Sequence, residues 1–161
     1  MDVYLVQHGQ ALSEEQDPRR PLSEAGRAAA TKMADHLAAL GTQLIDPPIA
    51  EVRHSGKLRA QQTAEIFAQA LCPHVRPTAR EGMSPKDDPR AVYEELATKR
   101  EQSGALLLIG HLPHLARLAG LLLTEDAEKT PVRFVNAAVL KICPADDGWA
   151  VEWYLTPACV R

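Results

Sequence analysis

Ala105-Leu106-Leu107-Leu108-Ile109-Gly110-His111-Leu112-Pro113 is the stretch that decides the fold. Its continuous apolar run from Ala105 to Ile109 suits a strand covered on both faces, the habit of a parallel sheet flanked by helices. Gly110 and Pro113 break the run, and a helix is expected from there through Leu123. Just upstream, Asp88-Pro89 is a helix start, an acidic cap followed by proline at the first helical position. That helix carries Val92 and Leu96 and is expected to end near Gly104.

The same alternation recurs towards the N-terminus. Val3-Tyr4-Leu5-Val6 reads as a buried strand that runs into Gln7-His8-Gly9 and then a polar loop, Asp17-Pro18-Arg19-Arg20-Pro21. Ser23 can cap a helix with Ala25, Ala29, Met33, Leu37 and Leu40 at helical spacing and Gly41 at its end. Ile49 to Val52 reads as a second strand. The turn Arg53-His54-Ser55-Gly56 leads to a helix with Thr63, Ile66, Phe67, Ala70 and Leu71 on one side, stopped by Cys72-Pro73. A short third strand is expected around Val75. Towards the C-terminus, Ala137 to Ile142 and Trp149 to Tyr154 flank Asp146-Asp147-Gly148, the pattern of a β-hairpin. The expectation is one α/β domain over residues 1–161, with three α/β/α layers and a mainly parallel sheet carrying an antiparallel edge.

Bulk properties narrow the function. The 161 residues are 45% hydrophobic and 24% charged, the balance of an ordinary globular protein. No apolar run is long enough to cross a membrane, and Met1 to Val6 lack the features of a signal peptide, so the cytoplasm is the expected location. The formal net charge of −3 argues against a broadly basic surface for nucleic acid. Cys72, Cys143 and Cys159 are odd in number and widely spaced, which suits reduced packing thiols rather than a disulfide framework or zinc site. His111-x-x-His114 has the spacing of a metal pair but no matching carboxylate cluster, so no metal is expected there. His36 and His74 read as surface or packing groups.

In a parallel α/β sheet, ligands bind beyond the carboxyl ends of the strands. His8 and His111 each follow a strand, each with glycine beside it, and Arg53 to Ser55 follow another. A histidine after a strand is by itself more often structural than catalytic. Two at strand ends, with glycines that let a ligand approach the backbone, suggest chemistry. Arg59 and Arg20 fall in the neighbouring segments. Their guanidinium forks suit a phosphate dianion, and a helix start after His111 would add backbone N–H groups.

Four stretches carry a family resemblance. Leu5-Val6-Gln7-His8-Gly9 resembles the Arg-His-Gly opening motif of the histidine phosphatase superfamily, the phosphoglycerate mutase-like fold. His54-Ser55-Gly56-Lys57-Leu58-Arg59-Ala60-Gln61-Gln62-Thr63 resembles its second motif. Arg20-Pro21-Leu22-Ser23 resembles the Arg-Pro-Leu-Thr stretch of the small phosphohistidine phosphatases, the SixA-like branch. Ile109-Gly110-His111-Leu112-Pro113 resembles their second-histidine motif. The resemblance implies a metal-independent phosphatase, with no organic cofactor, that takes phosphate onto His8 and returns it to water. His111, Arg20 and Arg59 would stabilise the transferring phosphoryl oxygens. Gln7, Gly9 and Leu112 would complete the phosphate-binding set.

Gln7 departs from the family, which has arginine there. Charge-assisted hydrogen bonds are worth about 1.5–3 kcal/mol against about 1 for neutral ones, so turnover is expected to be slower by roughly tenfold. Glu81 lies where larger relatives place an acidic proton donor, and a solvated glutamate is the competing reading. Between Leu71 and Ala105 there is room for one helix and a short loop, not for a large lid. An open site suits phosphohistidine presented on another protein, with the chain acting as a monomer. The competing functions are a catalytically weak phosphate-binding module and a broad small-molecule phosphatase.

Overall fold

The computed structural model describes residues 1–160. Strand β1 spans Asp2–Gln7, helix α1 Glu24–Leu40, β2 Ile49–His54, α2 Leu58–Leu71 and β3 Thr78–Ala79. They are followed by α3 over Arg90–Lys99, β4 over Ala105–Gly110, α4 over His114–Thr124, β5 over Val139–Ala145 and β6 over Gly148–Leu155. All six residues of β4 are buried, as its uninterrupted apolar run requires.

The strands form one six-stranded sheet in the order β3-β2-β4-β1-β5-β6. Strands β3, β2, β4 and β1 are parallel, and β5 and β6 add the antiparallel edge. Alternation along β1 sends Tyr4 and Val6 to one face, among Met33, Leu37, Ala60 and Phe67 of α1 and α2. Val3 and Leu5 go to the other, among Val92, Leu96, Leu115 and Leu118 of α3 and α4. The fold is therefore the expected α/β/α arrangement.

Ser23 caps α1 by accepting the Gly26 N–H at 3.0 Å, and Gly41 ends the helix at φ +48°. The inward stripe differs from the expected one: it is Gly26, Ala30, Met33, Ala34 and Leu37, with Ala25 exposed and Ala29 and Leu40 half-buried. The cause is a close approach at Gly26, where a Cβ would stand 2.0 Å from the Gln10 carbonyl oxygen. Met33 and Leu37 face inward as expected, and the first turns of the stripe differ.

The third strand lies at Thr78–Ala79 rather than around Val75. Val75 sits instead in a turn, its N–H on the Cys72 carbonyl at 2.8 Å, and the chain becomes a strand only where it reaches Arg53 and His54 of β2. Helix α3 stops at Lys99, short of Gly104, which turns the chain into β4 at φ +89°. Helix α4 begins at His114, after Pro113, so His111 and Leu112 belong to the loop before it. In the hairpin, Ala137 precedes the strand and takes φ +60°, while Ala145 pairs with Gly148 across Asp146-Asp147.

Candidate active site

The carboxyl ends of β1, β4 and β2 bring His8, His111 and Ser55 together, and the first turn of α2 adds Arg59. Gln7 pairs in register with Gly110, and His54 with Ile109, so the residues that follow share one edge of the sheet.

His8 is fixed from several directions. Its backbone N–H donates to the Gly110 carbonyl at 3.1 Å, and its own carbonyl accepts from Nδ2 of Asn136 at 2.9 Å. The ring Nδ1 lies 2.6 Å from the Gly9 carbonyl oxygen. A carbonyl only accepts, so Nδ1 carries the proton and Nε2 carries the lone pair. Arg59 Nε–H points at that Nε2 from 3.3 Å. Burial pushes the His8 pKa down to about 4; the Gly9 carbonyl opposes this, and the Arg59 and Arg20 charges add to it. The imidazole is therefore neutral at pH 7, with its lone pair facing a guanidinium.

Gly9 and Arg59 are linked through Thr63. Its hydroxyl accepts the Gly9 N–H at 3.1 Å and donates to the Arg59 carbonyl at 2.8 Å. A Cβ on Gly9 would stand 2.6 Å from the Gly26 carbonyl, so the turn after β1 needs glycine for space.

His111 is almost fully buried, and its ring centroid lies 4.7 Å from that of His8. Ser55 Oγ is in hydrogen-bond contact with His111 Nε2, while Nδ1 is buried without a partner. Burial holds the His111 pKa near 3, helped by His8, Arg59, Lys57 and His114. Arg59 is itself largely buried, and burial followed by the Arg20 charge lowers its pKa. Arg20 is half-buried at φ +47°, its Nε–H donating to the Leu12 carbonyl at 3.2 Å. Every charge acting on the two imidazoles is cationic or another imidazole. This electropositive concentration suits an anion.

Gln7 stands half-buried, with Oε1 shielded from solvent and without a hydrogen-bond partner. The Leu112 side chain is 39% exposed, so its place at the edge is superficial. Glu81 is exposed in the loop after β3, where the Arg80 guanidinium holds its backbone carbonyl. Among the described residues, no group of three or more His, Cys, Asp or Glu side chains is arranged to hold a metal ion. His114 is buried with neither ring nitrogen in a hydrogen bond, and His54 Nδ1 accepts the Gly56 N–H at 3.1 Å. His36 is half-buried and His74 exposed.

Three polar supports have no counterpart in the sequence reading. Asn136 holds the His8 carbonyl, Thr63 joins Gly9 to Arg59, and Gln62 Oε1 accepts the Leu22 N–H at 2.8 Å, tying the loop after β1 to α2. Thr63 and Gln62 stand in the quoted second motif, and their role there was the available signal. Asn136 carries none.

Residues 3–84 match the model of the histidine phosphatase superfamily, branch 1. The chain belongs to this superfamily. This histidine phosphatase is also similar over almost its whole length to solved structures. One is the protein histidine phosphatase SixA complexed with tungstate, at 27% identity and a TM-score of 0.82, covering 98% of each chain. Another is the putative phosphohistidine phosphatase SixA from Agrobacterium tumefaciens, at 24% identity and 0.74, covering 97% of each. A mycobacterial glucosyl-3-phosphoglycerate phosphatase shares the fold at 16% identity and 0.71, with 96% of this chain and 99% of that one covered. Among curated proteins, none matches the chain. Membership supports phosphatase chemistry for this histidine phosphatase, and no helix among its described residues is long and apolar enough to cross a membrane.

Proposed function

We propose that this histidine phosphatase hydrolyses phosphohistidine on a protein substrate through a phospho-His8 intermediate, without a metal or cofactor. The observation that carries the reading is the fixed tautomer of His8, whose Nε2 lone pair faces an arginine at a sheet edge rich in cations. Nε2 attacks phosphorus, the new P–Nε2 bond forms and the substrate P–N bond breaks. The leaving imidazole keeps the electron pair of that bond and is released neutral, its other nitrogen holding the ring proton. Phospho-His8 carries a cationic ring, and its Nδ1–H remains on the Gly9 carbonyl. Arg59 passes its Nε–H from Nε2 to a phosphoryl oxygen, joined there by Arg20 and His111, with Gln7, Gly9 and the backbone of Leu112 completing the shell. Water then attacks phosphorus from the opposite side, the P–Nε2 bond breaks, and the water proton leaves with phosphate.

Among the described residues, the charges acting on the two imidazoles are cations or another imidazole, which supports this substrate class. An alkoxide leaving group requires a proton donor close to the scissile bond, whereas imidazole departs without one. Glu81, exposed in the loop after β3, is the candidate donor for an ester substrate. The uncharged Gln7, with an unpartnered Oε1, supports a second reading: a module that binds phosphoryl groups and turns over slowly or not at all.

The deciding experiment compares wild type with His8→Ala on a phosphohistidine-bearing protein, following free phosphate and trapping the enzyme-bound phosphoryl group by acid-free quenching. Turnover lost in His8→Ala, with phospho-His8 found in wild type, is the expected result. Folded wild type that binds phosphate but forms no phospho-His8 would make the binding module the better reading. Hydrolysis of sugar phosphates with no action on the phosphoprotein would point to a small-molecule phosphatase.

A further inference from the structure

The described surface carries three exposed large apolar side chains, Leu112, Val135 and Val151. Val151 lies on the edge strand β6. The other two lie in loops next to the candidate site, Leu112 after His111 and Val135 before Asn136. Strand β1 is flanked by β4 and β5, so the chain leaving β4 and the chain entering β5 pass on either side of His8. Leu112 follows His111 directly and is followed by the exposed Pro113. Val135 precedes Asn136, whose Nδ2 grips the His8 carbonyl. The strand order thus puts these two apolar positions in the two loops that flank the strand end carrying His8.

We infer that Leu112-Pro113 and Val135 form two apolar lips that dock the protein surface around the phosphorylated histidine, and so select protein-borne over free phosphohistidine. The inference rests on the phosphohistidine reading above and adds the partner's surface chemistry: apolar side chains flanking the modified residue. The cations Arg20 and Arg59 meet the phosphoryl group, and the lips meet what surrounds it. A sugar phosphate would set hydroxyl groups against side chains that offer no hydrogen bond, losing its water without replacement. A protein surface carrying apolar groups instead buries area on both sides and excludes water from the bond being broken.

The test uses Val135, which is 42% exposed and whose carbonyl accepts the Ala138 N–H at 3.0 Å. Wild type, Val135→Asp, Val135→Ser and Val135→Ile are compared on free phosphohistidine and on a small histidine-containing protein phosphorylated with potassium phosphoramidate. Losing one buried valine contact at an interface corresponds to about a fivefold to tenfold rise in KM. The expected result is that rise on the phosphoprotein for Val135→Asp and Val135→Ser, with kcat/KM on free phosphohistidine unchanged and Val135→Ile like wild type. Equal losses on both substrates, or no loss on either, would overturn the docking role while leaving the phosphohistidine reading standing. Wild type that turns over neither substrate would overturn both.

Discussion

Arg59 Nε–H and His8 Nε2 face each other across 3.3 Å, so the resting enzyme keeps its nucleophilic lone pair against the group that would receive the phosphoryl oxygens. The hydrogen bond is long, and a phosphoryl group is the better acceptor, so substrate displaces it readily. Arg59→Ala removes a fork from the transition state, and kcat/KM is expected to fall by about a hundredfold, in line with the loss of one preorganised donor. The same change removes a charge that depresses the His8 pKa. An imidazole titration followed by NMR should therefore show His8 titrating at higher pH in Arg59→Ala than in wild type. An unmoved His8 pKa would mean that the Arg59 charge does not help to set it.

Both site histidines have folded-state pKa values below their ordinary value, His8 at about 4 and His111 at about 3. At pH between these values and 6.5, the unfolded chain binds more protons than the folded one, so stability rises with pH through that window. Acidification from pH 7 to pH 4.5 is expected to lower stability and, through protonation of His8, to reduce turnover only as pH approaches 4. Urea midpoints at the two pH values, with wild type and His111→Asn compared, measure the first effect. A smaller pH dependence in His111→Asn is the expected sign that this residue contributes.

Gln7 is placed at the end of β1, in register with Gly110, one residue before His8. Gln7→Arg introduces a charge-assisted donor, and inorganic phosphate is expected to inhibit about tenfold more strongly, with turnover rising by a similar factor. Inhibition constants and kcat on one substrate measure both. No change in either would place Gln7 outside the phosphate shell.

Glu81 is exposed and its loop is held through backbone by Arg80, which Glu95 grips at 2.7 Å. Glu81→Gln is expected to leave phosphohistidine hydrolysis unaltered, because imidazole leaves without acid help. An alkyl phosphate such as phosphoserine is the sensitive substrate: a drop confined to it would assign Glu81 as donor for esters. A drop on phosphohistidine would contradict the leaving-group argument.

How much of this was legible depends on the kind of signal. The strands β1 and β4 end where their apolar runs end, while β2 runs past the expected Val52 through Arg53 and His54, which pair with β4 and β3. Each strand still stops beside a histidine, a serine or a glycine, so His8, His111 and Ser55 were readable as one edge. Arg59 and Arg20 were readable because they stand in motifs. Asn136 was not, since its partner is the carbonyl of His8, 128 positions away, and its loop has no periodicity. The two-residue β3 owes its existence to β2, which no local pattern encodes. The start of the buried stripe of α1 was not legible either: Met33 and Leu37 are buried as their spacing suggested, while Gly26 stands against the Gln10 backbone, a contact with a distant part of the chain.

That contact gives the last prediction. At Gly26 a Cβ would lie 2.0 Å from the Gln10 carbonyl oxygen and 2.6 Å from the Gln10 nitrogen, both backbone atoms that no side-chain rotation can clear. Gly26→Ala must therefore push α1 away from the turn that follows His8. Overpacking of this kind costs about 1–3 kcal/mol, a fall in Tm of about 5 °C for a chain of this size. The same turn holds the Gly9 carbonyl that fixes the His8 tautomer, so kcat is expected to fall well below wild type in protein that remains folded. An exposed position on the same helix, Ala25→Gly, serves as control: it is expected to cost helix propensity alone, about 1 kcal/mol, with kcat unchanged. Equal effects of the two substitutions on kcat would separate the helix contact from the geometry of the nucleophile.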